Sequence, residues 1–301
     1  MLNLQTTGKA FVFLTLSSIF WGATAPIMKL TLGQVPLFSL AFIRMAAASI
    51  ILFFALRKNL SIKREDFLMF VCAALFGVTL NIALFFKGLQ LTDAINASFL
   101  VASVPIITIF AAHFFLGEKV TKMITLSAIV AFAGIFIIIG KPEGGMDPKK
   151  VLGNTLLLLA TVSWVVHEIV SKKLLKKYPP EVIVFYSLAI GAISFLPFFA
   201  IEFIKNQSWL FNLSNVSIFG IIYGILFSSL FAYLLWQKGL SKLPVGQASF
   251  FFYLDPISGA ILSVILLGEK VTGTLIIGGA LILIGVIMAE HKRKASPLHG
   301  K

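Results

Sequence analysis

Leu-Gly-Glu-Lys-Val-Thr stands at residues 116–121 and again, unchanged, at 267–272. The copies lie 151 positions apart, and each separates one long apolar run from the next. Extending the comparison without gaps, residues 87–121 match residues 238–272 at 14 of 35 positions. The matches include Lys87/Lys238, Gly88/Gly239, Ala97/Ala248, Ser98/Ser249, Phe99/Phe250 and Pro105/Pro256. Earlier in each half the offset is 143, where Trp21 meets Trp164, Lys29 meets Lys172 and Pro36 meets Pro179. Self-similarity at a fixed spacing marks a duplicated unit.

The solvent of this unit is lipid. Of 301 residues, 58% are hydrophobic and 12% are charged, and mean hydropathy is +0.99. A soluble domain needs about twice that share of charge to cover its surface. The net charge of +13 sits in short clusters between apolar runs. That is the pattern of loops facing anionic lipid, and no compact basic domain is present to bind nucleic acid. One cysteine, Cys72, excludes an internal disulfide framework or a cysteine metal cluster. No metal and no cofactor are expected.

A crossing helix needs about 20 apolar residues. Ten runs qualify, at 10–30, 37–56, 67–86, 94–116, 123–139, 152–174, 182–201, 216–236, 245–267 and 275–289. The first is too long for the apolar region of a signal peptide and lacks a small-x-small cleavage site before the next run. The expected fold is an all-α integral membrane protein. It has a first unit at 9–141, a second at 152–290 and a basic cytoplasmic tail at 291–301. With the N-terminus inside, alternate loops hold 17 Lys and Arg against 7 on the other side, with Arg44 inside a span. The bias places both termini in the cytoplasm of the cell (inner) membrane. Five helices per unit is odd, so the second unit enters the membrane upside down. Two similar units in opposite orientation have two near-equivalent global states around a midplane site, as inverted-repeat transporters do.

Ordered through the chain are Trp21-Gly22, Pro36, Arg44, Pro105 and Leu116-Gly117-Glu118-Lys119. The second half adds Trp164, Lys172-Lys173, Trp236, Leu254-Asp255-Pro256 and Gly268-Glu269-Lys270. On these residues the chain resembles the EamA family of the drug/metabolite transporter superfamily, over nearly its whole length. The resemblance implies ten helices in two tandem modules and passage of small metabolites, often amino acids. One departure is Asp255, where the family more often has Glu before the proline.

Ionisable and amide groups inside apolar runs are costly and default to functional candidates. Asp255 lies beside Pro256, which frees a backbone carbonyl and kinks the helix. It binds a substrate ammonium or a proton, or it caps local groups. Trp164, His167 and Glu168 share one broad helical face. A cation could stack on Trp164 beside Glu168 while His167 relays protons; alternatively His167 and Glu168 snorkel toward the basic loop. Asn96 and Gln247 are equivalent under the repeat. Ser103 follows Asn96 by seven residues, while Tyr253 and Asp255 follow Gln247 by six and eight, so each set is expected near one face. Asn81, Tyr233 and Trp21 complete the cavity candidates, Trp21 with Pro26 on a helix that proline breaks. Trp236 is expected at the interface, and Arg44 either binds a carboxylate or snorkels outward. The twin Gly-Glu-Lys segments are expected to be tight structural turns.

No Gly-x-x-x-x-Gly-Lys-Ser/Thr segment occurs; Gly134 to Gly140-Lys141-Pro142 has the wrong spacing and ends in proline. The expected function is therefore secondary transport of small polar or amphipathic metabolites, amino acids above all, by alternating access. Proton coupling would run through Asp255 or Glu168. The alternatives are export of hydrophobic cations, or a membrane scaffold or enzyme without transport. Expected partners are the small metabolite, protons and the lipid bilayer, with the chain acting as a monomer or homodimer and not as an enzyme.

Overall fold

Backbone N–H and C=O groups in hydrocarbon must be satisfied within the segment, so apolar runs of this length become helices. The computed structural model describes residues 4–56, 60–117, 122–140 and 147–294. Among them every regular element is helical and none is a strand. Eight helices are long and apolar enough to cross a membrane. They are α1 (Gly8–Leu32), α2 (Leu37–Leu56), α3 (Arg64–Leu91), α4 (Ala94–Phe115), α6 (Pro148–Leu174), α7 (Pro180–Lys205), α8 (Asn215–Leu240) and α9 (Val245–Leu267). Two more helices, α5 (Lys122–Gly140) and α10 (Gly273–Lys294), carry shorter apolar stretches at Thr125–Ile138 and Gly273–Gly285. The ten apolar runs of the sequence thus resolve into eight helices of spanning length and two whose apolar stretch falls short of it.

Local chemistry sets the helix ends. Pro148 and Pro180 open α6 and α7, where a missing N–H costs nothing. Asp147 and Ser214 accept from the N–H groups of Lys149 (2.9 Å) and Ser217 (3.2 Å) at the starts of α6 and α8. Gly117 and Gly268 end α4 and α9 in the left-handed region, at φ 72° and 64°. Glycine suits both positions because residues with a side chain are strained at that φ, although the space around each is open. The hexapeptide is thus a helix stop in both copies. Glu118–Thr121 of the first copy, residues 57–59, the 141–146 loop and the tail from 295 lie outside the described residues.

The pairing of helices is regular. α2 packs along α7, α4 on α9, α5 on α10, α3 on α6 and α1 on α8. Among the described residues five helices depart from α geometry, α1 by a break at Ala23, three residues before Pro26. α3 and α8 each contain a π-helical stretch, at Leu75–Leu80 and Gly224–Phe231. α4 breaks at Ala102–Ser103, just before Pro105, and α9 runs as a 3-10 helix over Ser249–Tyr253, just before Pro256. The irregularity expected from Pro26 and Pro256 is present in α1 and α9. π segments widen a helix locally and recur beside functional sites.

The second hexapeptide does more than turn the chain. Glu269 Oε1 accepts from the backbone N–H of Ala94 (2.8 Å) and from Lys29 Nζ (2.9 Å), while Oε2 accepts from the N–H of Ile95 (2.8 Å). Lys29 also donates to Thr92 O at 2.7 Å. One carboxylate therefore caps the start of α4, where the helix dipole favours negative charge, and ties it to α1 and to the α9–α10 turn. At the start of α3, Asp66 accepts from Lys177 Nζ (2.8 Å) and Tyr178 Oη (2.7 Å). That hydrogen bond holds the Lys177 ammonium above the ordinary lysine range.

Because Glu269 is only 10% exposed, its charge-assisted bonds are worth more than a surface pair. Glu269→Ala is expected to cost about 1–3 kcal/mol and lower the thermal midpoint of the detergent-solubilised protein. Glu269→Gln keeps one acceptor for a backbone N–H but loses the negative charge facing Lys29, and falls between. An unchanged midpoint in Glu269→Ala would contradict this capping role.

Candidate functional site

Where the irregular parts of α3, α4, α8 and α9 face α1, α2 and α6, the helices do not close on one another. They leave a cavity of about 100 Å³, measured as the space open to the centre of a water molecule. One water needs roughly 10–15 Å³ by that measure, so the cavity admits several waters or a small ligand.

One wall is aromatic. Trp21 packs at 4.9 Å from Trp164, 5.4 Å from Tyr233 and 5.8 Å from Phe252, centroid to centroid, and all four rings line the cavity. Trp236 lies behind them, 4.4 Å from Phe252 and 5.5 Å from Trp21, with no exposed surface. The expected interfacial position of Trp236 is therefore wrong. The sequence places it near a helix end, but the α8 residues around it turn inward against α1. The rings are held from outside. Trp21 donates its indole N–H to Ser228 O (3.0 Å), and Tyr233 donates its hydroxyl to Gly77 O (2.9 Å). Gly77 also makes room for the His167 ring, with which a Cβ there would collide.

The opposite wall is polar. Arg44, on α2, is 3% exposed and does not snorkel outward. Its Nη2 donates to Ser228 Oγ (2.8 Å) and Ser229 Oγ (3.1 Å), and its Nε to Gly224 O (3.2 Å). The guanidinium carbon stands 5.2 Å from the centre of the Phe86 ring. Thr24 Oγ donates to Phe20 O (2.9 Å) and lies 3.0 Å from Ser228 Oγ. Asn81, the first residue after the π stretch of α3, donates to Ala160 O (2.8 Å). Asp255 also lines the cavity, is 3% exposed, and its Oδ1 finds no donor. Among the described residues no carboxylate pairs with Arg44 and no cation pairs with Asp255. A buried charge without a counter-charge is costly. A ligand carrying both signs would relieve both groups at once.

Of the sequence candidates, the cavity thus brings together Trp21, Asn81, Trp164, Tyr233 and Asp255, with Arg44. The others lie elsewhere. Asn96 donates to Thr92 Oγ (3.3 Å) and borders a separate polar recess with Asp93 and Lys150. Ser103 sits in the α4 break and bonds back to Leu100 O at 2.6 Å. Gln247, in the first turn of α9, and Tyr253, packed against Phe250 at 5.8 Å, are half-buried outside the cavity lining. His167 and Glu168 are completely buried, so neither snorkels. His167 Nδ1 lies 2.8 Å from Ala73 O, which can only accept, so Nδ1 carries the proton. Its Nε2 then accepts from Gln237 (3.1 Å) and Ser171 (3.3 Å). Glu168 accepts from Thr108 Oγ at 2.9 Å.

Thr24, Ser228, Phe252 and Phe86 line the cavity although the sequence reading does not single them out. Thr24 follows Trp21 by one helical turn, a signal that periodicity could have used. Ser228 carried none, since hydroxyls in membrane helices mostly bond their own backbone.

The sequence profile of the EamA-like transporter family matches residues 8–140 and 151–289. A protein of Archaeoglobus fulgidus described as an uncharacterized transporter is 28% identical over 291 residues, covering 95% of this chain and 98% of its own length. The Bacillus subtilis protein described as uncharacterized transporter YyaM is 25% identical over 291 residues, covering 93% of each chain. A crystal structure at 22% identity superposes with a TM-score of 0.68 over 96% of this chain and 99% of the other, which establishes likeness of fold. With the profile matched by each half of the chain and full-length relatives described as transporters, the irregular spanning helices and their cavity are those of a multi-pass membrane protein that belongs to the EamA-like transporter family.

Proposed function

We propose that this chain is a secondary transporter of small zwitterionic metabolites, amino acids above all, working by alternating access. The observation that carries the reading is the pair of buried ionisable groups, Arg44 and Asp255, neither with a counter-charge among the described residues, on one cavity walled by Trp21, Trp164, Tyr233 and Phe252. The Arg44 fork suits a carboxylate, Asp255 an ammonium, and the aromatic wall an apolar side chain. A hydrophobic cation would match Asp255 and the rings but would face the Arg44 charge, which disfavours it.

Alternating access follows from ten spans arranged as two inverted five-helix units, 9–141 and 152–290, with both termini in the cytoplasm and the chain in the inner membrane. Several features support the repeat. Exchanging the first five helices with the last five turns the α3–α6 pair into the α8–α1 pair and leaves α2–α7, α4–α9 and α5–α10 unchanged. The π stretches of α3 and α8 correspond, as do the breaks in α4 and α9. Lys29 donates to Thr92 O, and its repeat equivalent Lys172 donates to Leu243 O at 2.7 Å, the residue equivalent to Thr92.

Counterflow tests the reading. Proteoliposomes preloaded with an unlabelled amino acid are expected to take up the same labelled amino acid at least about fivefold faster than empty liposomes. Tetraphenylphosphonium should show no such uptake. The reverse pattern would replace the zwitterion with a hydrophobic cation.

A further inference from the structure

Glu168 is a carboxyl with no exposed surface that does not line the cavity. Its Oε2 accepts from Thr108 Oγ at 2.9 Å, and its Oε1 has no partner. Every group facing it is neutral. From α4 it meets Thr108, and from its own helix and α8 it meets the indoles of Trp164 and Trp236. Like Glu168 Oε1, both indole N–H groups are buried without a hydrogen-bond partner. The adjacent titratable group, His167, turns the other way, onto Ala73 O and Gln237. Asp255 and Arg44 belong to the cavity, on whose wall Trp164 lies. No Lys or Arg pairs with Glu168 among the described residues.

We propose that Glu168 is a proton-binding site separate from the substrate cavity, and that it couples transport to a proton gradient through the indole N–H groups of Trp164 and Trp236. A buried carboxylate must find donors or take up a proton. With a proton from the bulk, Glu168 is a neutral acid that places no charge in this buried site, and Oε2 still accepts from Thr108. When the proton leaves, the carboxylate becomes an acceptor on both oxygens and draws the two indole N–H groups onto itself. Trp164 lines the cavity, and Trp236 supports Trp21 and Phe252 from behind. Losing the proton therefore reshapes the aromatic wall that holds the substrate. Thr108 lies on the half of α4 beyond the Ala102–Ser103 break. The same event thus also loads or releases the broken helix. The separation of roles is chemical: Asp255 can touch a ligand and Glu168 cannot.

The coupling half of this proposal rests on the transport reading above, and the proton-site half does not, so the test has two arms. In the first, the tryptophan emission of the detergent-solubilised protein is followed from about pH 5 to about pH 9. Asp255, the other buried carboxyl beside the rings, is removed by working in Asp255→Asn. A transition is expected in Asp255→Asn, and none in the double variant Asp255→Asn/Glu168→Gln. Asp255→Asn/Glu168→Asp, which keeps the acid, should retain it even where an amide perturbs folding. A transition that persists in Asp255→Asn/Glu168→Gln, or none in Asp255→Asn, overturns the proton site. In the second arm, Glu168→Gln proteoliposomes should keep counterflow within about twofold of wild type while losing all stimulation by a pH gradient. Full gradient stimulation in that variant overturns the coupling. If wild type moves no amino acid, the transport reading fails, and the emission arm still decides whether Glu168 binds the proton.

Discussion

Asp255→Asn is expected to separate function from stability, lowering the first and sparing or raising the second. The substitution keeps shape and removes only charge. In the protein alone, Asp255 is a buried carboxyl whose Oδ1 has no donor and which pairs with no cation among the described residues. Removing an uncompensated buried charge does not destabilise a fold, so the thermal midpoint should stay or rise. With a zwitterion bound, the same carboxylate holds the ammonium by charge-assisted hydrogen bonds worth about 1.5–3 kcal/mol. Losing them raises the apparent KM for a free amino acid by about 10- to 150-fold. Thermal unfolding and counterflow on the same preparation check both signs. A lower midpoint with unchanged flux would make Asp255 a structural residue.

Arg44 is expected to lose both. Its guanidinium reaches Ser228, Ser229 and Gly224 O together and lies over the Phe86 ring. Arg44→Ala leaves those partners facing an emptied space and deletes the carboxylate fork. The expected cost to stability is about 1–3 kcal/mol, with transport reduced by about 100-fold or more. Arg44→Lys keeps the charge as a point on a flexible stem and cannot bridge two hydroxyls and a carbonyl in one plane. It should recover most of the stability but transport with a KM raised about tenfold. Wild-type kinetics in Arg44→Lys would show that the fork does not read the substrate.

The sequence made the helical architecture readable because lipid leaves the backbone few choices. Five cavity residues were readable for a related reason. A Trp, Asn, Tyr or Asp inside an apolar run is costly unless something uses it, and Trp21, Asn81, Trp164, Tyr233 and Asp255 all reach the cavity. What failed was phase. Counting 100° per residue carries Ser103 onto the face of Asn96, but α4 breaks at Ala102–Ser103 and the count does not survive it. Between Gln247 and Asp255 lies the 3-10 stretch Ser249–Tyr253, whose tighter turn adds about 20° per residue. The accumulated shift, about 100°, turns Asp255 to the cavity and leaves Gln247 outside its lining. Nothing in the residues announces a π or 3-10 segment.

Two other misplacements share a cause. Trp236 read as an interface residue and outward snorkelling was one of the two readings of Arg44, both from distance to helix ends, yet one has no exposed surface and the other 3%. Distance along a helix says nothing about which neighbours cover it. Arg44 is covered by the π segment of α8, which supplies Gly224 O, Ser228 and Ser229. The repeated hexapeptide misled in the other direction. Its Gly268 is the helix stop that the sequence implies, while Glu269 caps a different helix, α4, across the bundle.

The account stands on one claim, that the cavity reads both charges of a zwitterion. Competition against counterflow of a labelled amino acid measures this most directly, using the free amino acid, its N-acetyl derivative and its methyl ester. In wild type the free amino acid should compete at least about tenfold better than either singly charged analogue. In Asp255→Asn the advantage over the N-acetyl derivative should disappear while the advantage over the ester remains. A methyl ester that competes as well as the free amino acid in wild type would contradict the claim.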